Sequence, residues 1–259
     1  MHEEEWLKNA WPYLSFLSLK ASYSLTADRG PASVTNSRVV INATNPWRPN
    51  AGDGESALYV SDLENAALTY EKKHELNIGG AIGFFDNRIN IEADWYKRNN
   101  YDLIGPVTTQ GIGGQVTKLG NVASMQSSGV ELTLSTVNIN KKNFKWTTDF
   151  IYSHAENRVT SLENQQRVSD LVAGTGFALE GYPVRSVFSI PYRGLNSEGI
   201  PTFLDQSGEV TTTGIYFQER DNIDFLEYSG TADPTDFGSF GNTFSFYGFK
   251  FNIFFTYSF

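Results

Sequence analysis

The sequence predicts an all-β fold: an antiparallel sheet of long strands with one oily and one wet face, as in the wall of a transmembrane β-barrel. Three observations carry this. Apolar residues recur with a period of two, which places them on one face of a strand. The alternating runs are about ten to thirteen residues long, whereas strands of globular proteins average about five or six. Long and short connections alternate strictly, as they do where strands cross a bilayer back and forth.

The first run carries Leu17, Leu19, Ala21, Tyr23 and Leu25 on one face and Ser18, Lys20, Ser22, Ser24 and Thr26 on the other. The second presents Leu76, Ile78, Gly80, Ile82 and Phe84. The third sets Ile89, Ile91, Ala93 and Trp95 against Asn90, Glu92, Asp94 and Tyr96. In the fourth, Val130, Leu132 and Leu134 oppose Glu131, Thr133 and Ser135. The fifth has Phe144, Trp146, Thr148, Phe150 and Tyr152 against Lys145, Thr147 and Asp149. A sixth runs from about Ser239 to Phe246. In the last, Phe249, Phe251, Ile253, Phe255, Tyr257 and Phe259 oppose Lys250, Asn252, Phe254, Thr256 and Ser258. Ten residues rising ~3.3 Å each and tilted ~45° span roughly the ~25 Å apolar band of an outer-membrane barrel.

Short turns fall at Asp86-Asn87, Asn140–Asn143 and Tyr247-Gly248, and long connections at about 28–71, 101–126 and 156–238. In outer-membrane barrels the short turns are periplasmic and the long loops extracellular. The strands then run up from 15, down from 72, up from 88, down from 127, up from 143, down from 239 and up from 249. The third connection is expected to hold short strands near Val187–Arg193 and Ile200–Leu204.

The 259 residues carry 20 Lys+Arg and 29 Asp+Glu, a net charge of −9 that disfavours a nucleic-acid partner. With no cysteine, thiol catalysis, zinc-thiolate sites and disulfides are excluded. No apolar run reaches the ~18 residues of a membrane-spanning helix. The acidic start, Met1-His2-Glu3-Glu4-Glu5-Trp6, lacks the features of a signal peptide, so a barrel reading expects the chain to begin inside a longer protein.

Few residues suggest chemistry. His2, His74 and His154 lack zinc-ligand spacing, and no metal or cofactor is expected. Gly111-Ile112-Gly113-Gly114 has no strand-to-helix context for a phosphate cradle. Asp205-Gln206-Ser207-Gly208-Glu209 departs from the EF-hand pattern and reads as a solvated turn. Glu92 and Asp94 share a wet face, which fits a paired-carboxylate glycosidase less well than solvated lumen groups. Lumen-facing polar positions are Lys20, Asn90, Glu92, Asp94 and Glu131. Trp95, Trp146 and Tyr257, with Tyr96, Tyr101 and Tyr152, are candidates for an interfacial aromatic girdle. The loop aromatics Trp47, Tyr182 and Tyr192 are candidates for ligand contact.

The order of short motifs resembles the SusC/RagA family of TonB-dependent outer-membrane transporters. They are Leu68-Thr69-Tyr70-Glu71, Glu75–Gly79, Gly83–Ile89, Trp95–Arg98 with Asp102–Ile104, Gly120-Asn121-Val122, Ser128–Leu132, Glu180–Pro183, Tyr192–Leu195 and Gly241–Phe249. The resemblance implies a segment of about seven to ten strands from a barrel of about 22, with an internal plug and a TonB-contacting segment that these residues do not match. It implies import of glycans, oligosaccharides or peptides with a SusD-like surface lipoprotein and the TonB complex as partners, in contact with outer-membrane lipid. In the family a Tyr-Ser-Phe strand like 257–259 is followed by further strands, so the barrel domain spanning 1–259 is expected to continue at both ends. The rival readings are a passive porin, a soluble secreted carbohydrate-binding sheet and, more remotely, a glycan hydrolase using Glu92.

Overall fold

The computed structural model describes residues 11–30, 38–46, 56–111 and 116–259. The strands in chain order are β1 (Leu14–Asp28), β2 (Val40–Thr44), β3 (Ala57–Asp62), β4 (Glu71–Phe84), β5 (Ile89–Thr108), β6 (Thr117–Lys141) and β7 (Phe144–Leu162). They continue as β8 (Ser186–Ser189), β9 (Tyr192–Leu195), β10 (Pro201–Leu204), β11 (Val210–Thr211), β12 (Glu227–Thr231), β13 (Asp236–Phe246) and β14 (Phe249–Ser258).

Seven of them form one antiparallel sheet in the order β1-β4-β5-β6-β7-β13-β14. The register puts the apolar runs on one side: Ile78 pairs with Trp95, Trp95 with Val130, and Leu132 with Tyr152. The polar runs share the other side, where Lys20 pairs with Gly79, Gly79 with Asp94, and Asp94 with Glu131. The turns have the backbone such tight reversals require. Phe85, Asp86 and Asn87 all have positive φ, as do Tyr247 and Gly248, where two successive positive φ values match strand twist in a two-residue turn.

The wall is a single layer. Its apolar side leaves Ile78, Trp95, Val130, Phe240, Phe251, Phe255 and Phe259 exposed. Among the described residues the buried apolar side chains are Val122, Val159, Val168, Leu171 and Phe188, all beyond the wall's lower part. Contiguous apolar faces of this size are not left to water in monomeric soluble proteins. Lipid is the solvent in which this fold makes sense. A closed barrel also satisfies every strand edge, whereas this sheet alone is open at β1 and β14.

Two of the expected connections are more structured than the sequence suggests. Most of 101–126 is strand, because β5 runs to Thr108 and β6 begins at Thr117. A bulge hides this continuation: the register shifts between Asn100 and Ile104, and Asp102 takes a positive φ, which flips the phase of the alternation. β6 has 25 residues. At ~3.3 Å per residue and ~45° tilt it spans roughly 60 Å, well beyond the ~25 Å apolar band. A strand of that length that crosses such a band once would extend beyond it at its upper end. In the first connection, β2 and β3 form a hairpin.

The third connection is a folded module. The expected short strands appear as β8, β9 and β10; β11, β12 and a one-turn helix at Val168–Leu171 are additional. Val168 and Leu171 are fully buried, and Tyr182, Phe188 and Tyr228 pack with ring centroids 5.0–5.6 Å apart. The Arg167 guanidinium holds Asp170 through two bonds, 2.9 Å to Oδ2 and 2.7 Å to Oδ1. This pairing keeps the Asp170 carboxyl below its ordinary value. Such a contribution is complete above the unfolded carboxylate value of about 3.9 and is lost as pH falls below it. The module is expected to become sensitive to a protease active at pH 3 while resisting the same protease at pH 5. Arg167→Gln should narrow that difference, and equal cleavage of both proteins at both pH values would contradict it.

Candidate functional site: the inner wall and the loop module

The wet face is built by the odd–even geometry of β1, β4, β5 and β6. Lys20 on β1 reaches across β4 to β5, placing Nζ 2.9 Å from Glu92 Oε1 and 3.0 Å from Asp94 Oδ1. Gly79 makes this crossing possible, since a Cβ there would lie 1.9 Å from Asp94 Oδ1 and 2.8 Å from Lys20 Cε. Higher up, Glu75 Oε2 lies 3.0 Å from both Lys73 Nζ and Arg98 Nε, and its Oε1 accepts from Asn77 at 3.1 Å. The Arg98 Nε contact is an ion pair by distance but is misaligned for a hydrogen bond. The Arg98 guanidinium also lies 4.4 Å over the Tyr96 ring. Lys20, Asn77, Glu92, Asp94, Tyr96 and Arg98, together with Glu131, line a shallow concavity of about 570 Å³.

Glycines flatten this wall. Tyr96 lies across Gly129, where an added Cβ would meet its hydroxyl and the His154 carbonyl, each at 2.6 Å. Phe16 covers Gly83 and Phe254 covers Gly241 in the same manner. Because a backbone carbonyl cannot move aside, Gly129→Val is expected to cost about 1–3 kcal/mol. Urea titration of the folded protein measures this, and an unchanged midpoint would refute the packing argument.

The sequence candidates fall as follows. Lys20, Glu92, Asp94 and Glu131 line the concavity. Asn90 sits on the same side, donating to the Asn87 carbonyl at 2.9 Å, while its Oδ1 has no partner among the described residues. Trp95, Trp146 and Tyr257 all lie on the apolar side, Trp146 near the short turns and Tyr257 near the long loops. Tyr96, a girdle candidate, lies instead on the wet side, because the period of two puts it beside Asp94 and Arg98 rather than Trp95. His74 accepts or donates a bond with the Tyr23 hydroxyl at 3.1 Å, and His154 lies 3.0 Å from Asp236 Oδ1 and 3.3 Å from Glu156 Oε1. Among the described residues no cluster of three metal-ligating side chains occurs. Trp47 lies outside the described residues. Tyr182 belongs to the module's aromatic cluster, whereas Tyr192 is 55% exposed with its ring centroid 6.0 Å from that of Phe203.

A second cleft, of about 320 Å³, lies where the module meets β7. Gly181 and Tyr182 bond Val159 in strand-like fashion, Gly181 N to Val159 O at 2.9 Å and Val159 N to Tyr182 O at 2.8 Å. The Asn157 side chain accepts from Val184 N at 2.7 Å. Asn157, Arg158, Tyr228 and Asp233 line this cleft. Asp233 is paired with Arg185 at 2.6 Å, but Arg158 has no ion-pair partner among the described residues. No sequence signal marked Arg158 or Tyr228, since their proximity depends on how 180–184 docks. The motifs Thr69-Tyr70-Glu71, Asp102–Ile104 and Asn121 also converge. Asn121 bonds both backbone groups of Thr69, at 2.7 and 2.9 Å, and Glu71 accepts from Ile104 N at 2.7 Å.

No family model matches the chain. It is 24% identical to TonB-dependent receptor P3 of Formosa agariphila over 98% of its own length and 26% of that relative. It is 25% identical to TonB-dependent receptor P39 of the same organism over 88% of its length and 20% of that relative. The chain thus spans about a quarter or less of these relatives. In fold it matches the RagAB peptide transporter with a TM-score of 0.77 and 24% identity, over 97% of this chain and 28% of that one. The RagAB peptide importer in its 'open-open' state gives 0.75, again at 24% identity, over 95% and 26%. The resemblance carried by the sequence motifs is borne out along nearly the whole chain, which is similar in sequence to TonB-dependent receptors and shares the fold of a β-barrel wall segment of the RagAB transporter.

Proposed function

We propose that the chain forms part of the wall, lumen surface and extracellular loops of a TonB-dependent importer in a bacterial outer membrane. The observation that carries this reading is the two-faced single-layer wall crowned by a folded loop module. An apolar side calls for lipid, a charged inner side calls for water and cargo, and an ordered module above the bilayer gives a surface for capture. Further strands would pair the free edges of β1 and β14 and close the barrel. The long-loop end would face outward and meet a SusD-like lipoprotein.

The cargo in this reading is an oligopeptide or a glycan, and the likeness to the RagAB peptide transporter supports the peptide. The wall's residues act without covalent chemistry: they bind, orient and exclude. Uptake of labelled oligopeptides by cells expressing the full-length receptor separates this from a passive porin. Uptake should cease when TonB is deleted; uptake that persists without TonB supports the porin and sinks the importer.

A further inference from the structure

The short-turn end of the wall carries a charge opposite to that of the whole chain. Among the described residues, the turns and adjoining strand positions hold Arg88, Lys141, Lys142, Lys145 and Lys250 against a single carboxylate, Asp86, in a chain of net charge −9. On the apolar side of this end lies a groove of about 360 Å³, lined by Phe85, Arg88, Ile89, Thr136, Val137 and Asn138. It forms where a register shift between Val137 and Ile139 opens the pairing of β6 with β7.

Arg88 is held in place there. Its Nε and Nη2 donate to the Val137 carbonyl at 3.3 and 3.2 Å, and Nη2 also donates to the Asn138 carbonyl at 2.9 Å. Its Nη1 has no partner among the described residues. A guanidinium fixed by two carbonyls presents its remaining donors at little entropic cost, and phosphate oxygens match its fork. The groove is amphipathic: Phe85 and Ile89 offer apolar surface continuous with the lipid-facing side, and the Arg88 guanidinium lines it beside them.

We infer that this groove binds the phosphate head group of an anionic glycerophospholipid, with Arg88 as the anchoring cation and the Lys141-Lys142 turn supplying attraction at the membrane surface. The acyl chains would follow the apolar side and the head group would meet the basic rim. This inference rests on the membrane-wall reading above. It adds to that reading a defined lipid contact, not merely a solvent.

The test uses the full-length receptor reconstituted in phosphatidylcholine vesicles containing a minority of phosphatidylglycerol, then extracted in mild detergent for native mass spectrometry. Phosphatidylglycerol should be retained over phosphatidylcholine, by about fivefold for each surface cation that contributes. R88Q should lower retention by about fivefold, and K141Q/K142Q, which leaves the bulge intact, should also lower it several-fold. Millimolar inorganic phosphate should not displace the lipid. Equal retention of both lipids by the inserted wild-type chain, or unchanged retention in both variants, would overturn the lipid site alone. Full displacement by inorganic phosphate would reassign the groove to a free anion and overturn it too. A full-length receptor that never enters the vesicles would overturn the wall reading, and the lipid site with it.

Discussion

Arginine at Leu132 is expected to destabilise the membrane-inserted protein by about 2–4 kcal/mol, whereas arginine at the adjacent Thr133 should be tolerated. The two positions differ by one residue on β6 and by the whole thickness of the wall. Leu132 pairs with Ala93 and Tyr152 on the apolar side. Thr133 pairs with Glu92 and Ile151 on the wet side, within the concavity that holds Glu131. A guanidinium beside Leu132 must be carried into hydrocarbon, while one at Thr133 meets water and carboxylates. Urea titration of the full-length receptor refolding into vesicles measures both. Equal losses in the two variants would show that the two faces share one solvent.

The second large effect lies in a polar chain on the apolar side. Asn242 Oδ1 accepts from Trp146 Nε1 at 2.9 Å and from the Thr148 hydroxyl at 2.7 Å. The Asn138 amide donates to the Thr148 hydroxyl at 2.7 Å, and the Thr136 hydroxyl donates to Asn138 Oδ1 at 3.0 Å. In hydrocarbon no water replaces a lost partner, so this chain is tolerable only while it stays complete. Asn242→Leu leaves two donors unmatched, each worth about 1–3 kcal/mol. The expected loss is about 2 kcal/mol, since the Thr148 hydroxyl can turn to another acceptor. Asn242→Gln, which keeps the carbonyl, should recover part of it. A neutral Asn242→Leu in vesicles would mean that this surface is wetted.

The sequence made the wall legible because a strand's period of two survives in every crossing, and because lipid and lumen make opposite demands on neighbouring residues. The short turns were legible for the same reason: Asp86-Asn87 and Tyr247-Gly248 interrupt alternation where the chain reverses. The upper ends of β5 and β6 were hidden. The chain from Tyr101 onward reads as loop, and the bulge at Asp102 inverts the faces beyond it. Above the bilayer, strands no longer need an apolar side, so the pattern that marks them fades.

The candidate site was legible only in part. Lys20, Glu92, Asp94 and Glu131 are set by alternation alone. That Lys20 crosses β4 to reach Asp94 depends on register and on Gly79, which no local pattern reveals. Tyr182 looked available for ligand contact because it lies in a long connection. Its packing against Phe188 and Tyr228 follows from a fold that the module builds through contacts distant in sequence. Arg158 and the basic short-turn groove likewise emerge from pairing rather than from a motif.

The absence of cysteine from these 259 residues makes the central claim directly measurable, because each cysteine introduced here is the sole labelling site within the wall segment. Spin labels placed one at a time from Val130 to Ser135 report collision with oxygen, which concentrates in lipid, and with a polar nickel chelate, which stays in water. A two-faced wall predicts that Val130, Leu132 and Leu134 favour oxygen, that Glu131, Thr133 and Ser135 favour the chelate, and that the two profiles alternate out of phase. Chelate access that is equal at all six positions would contradict a membrane wall.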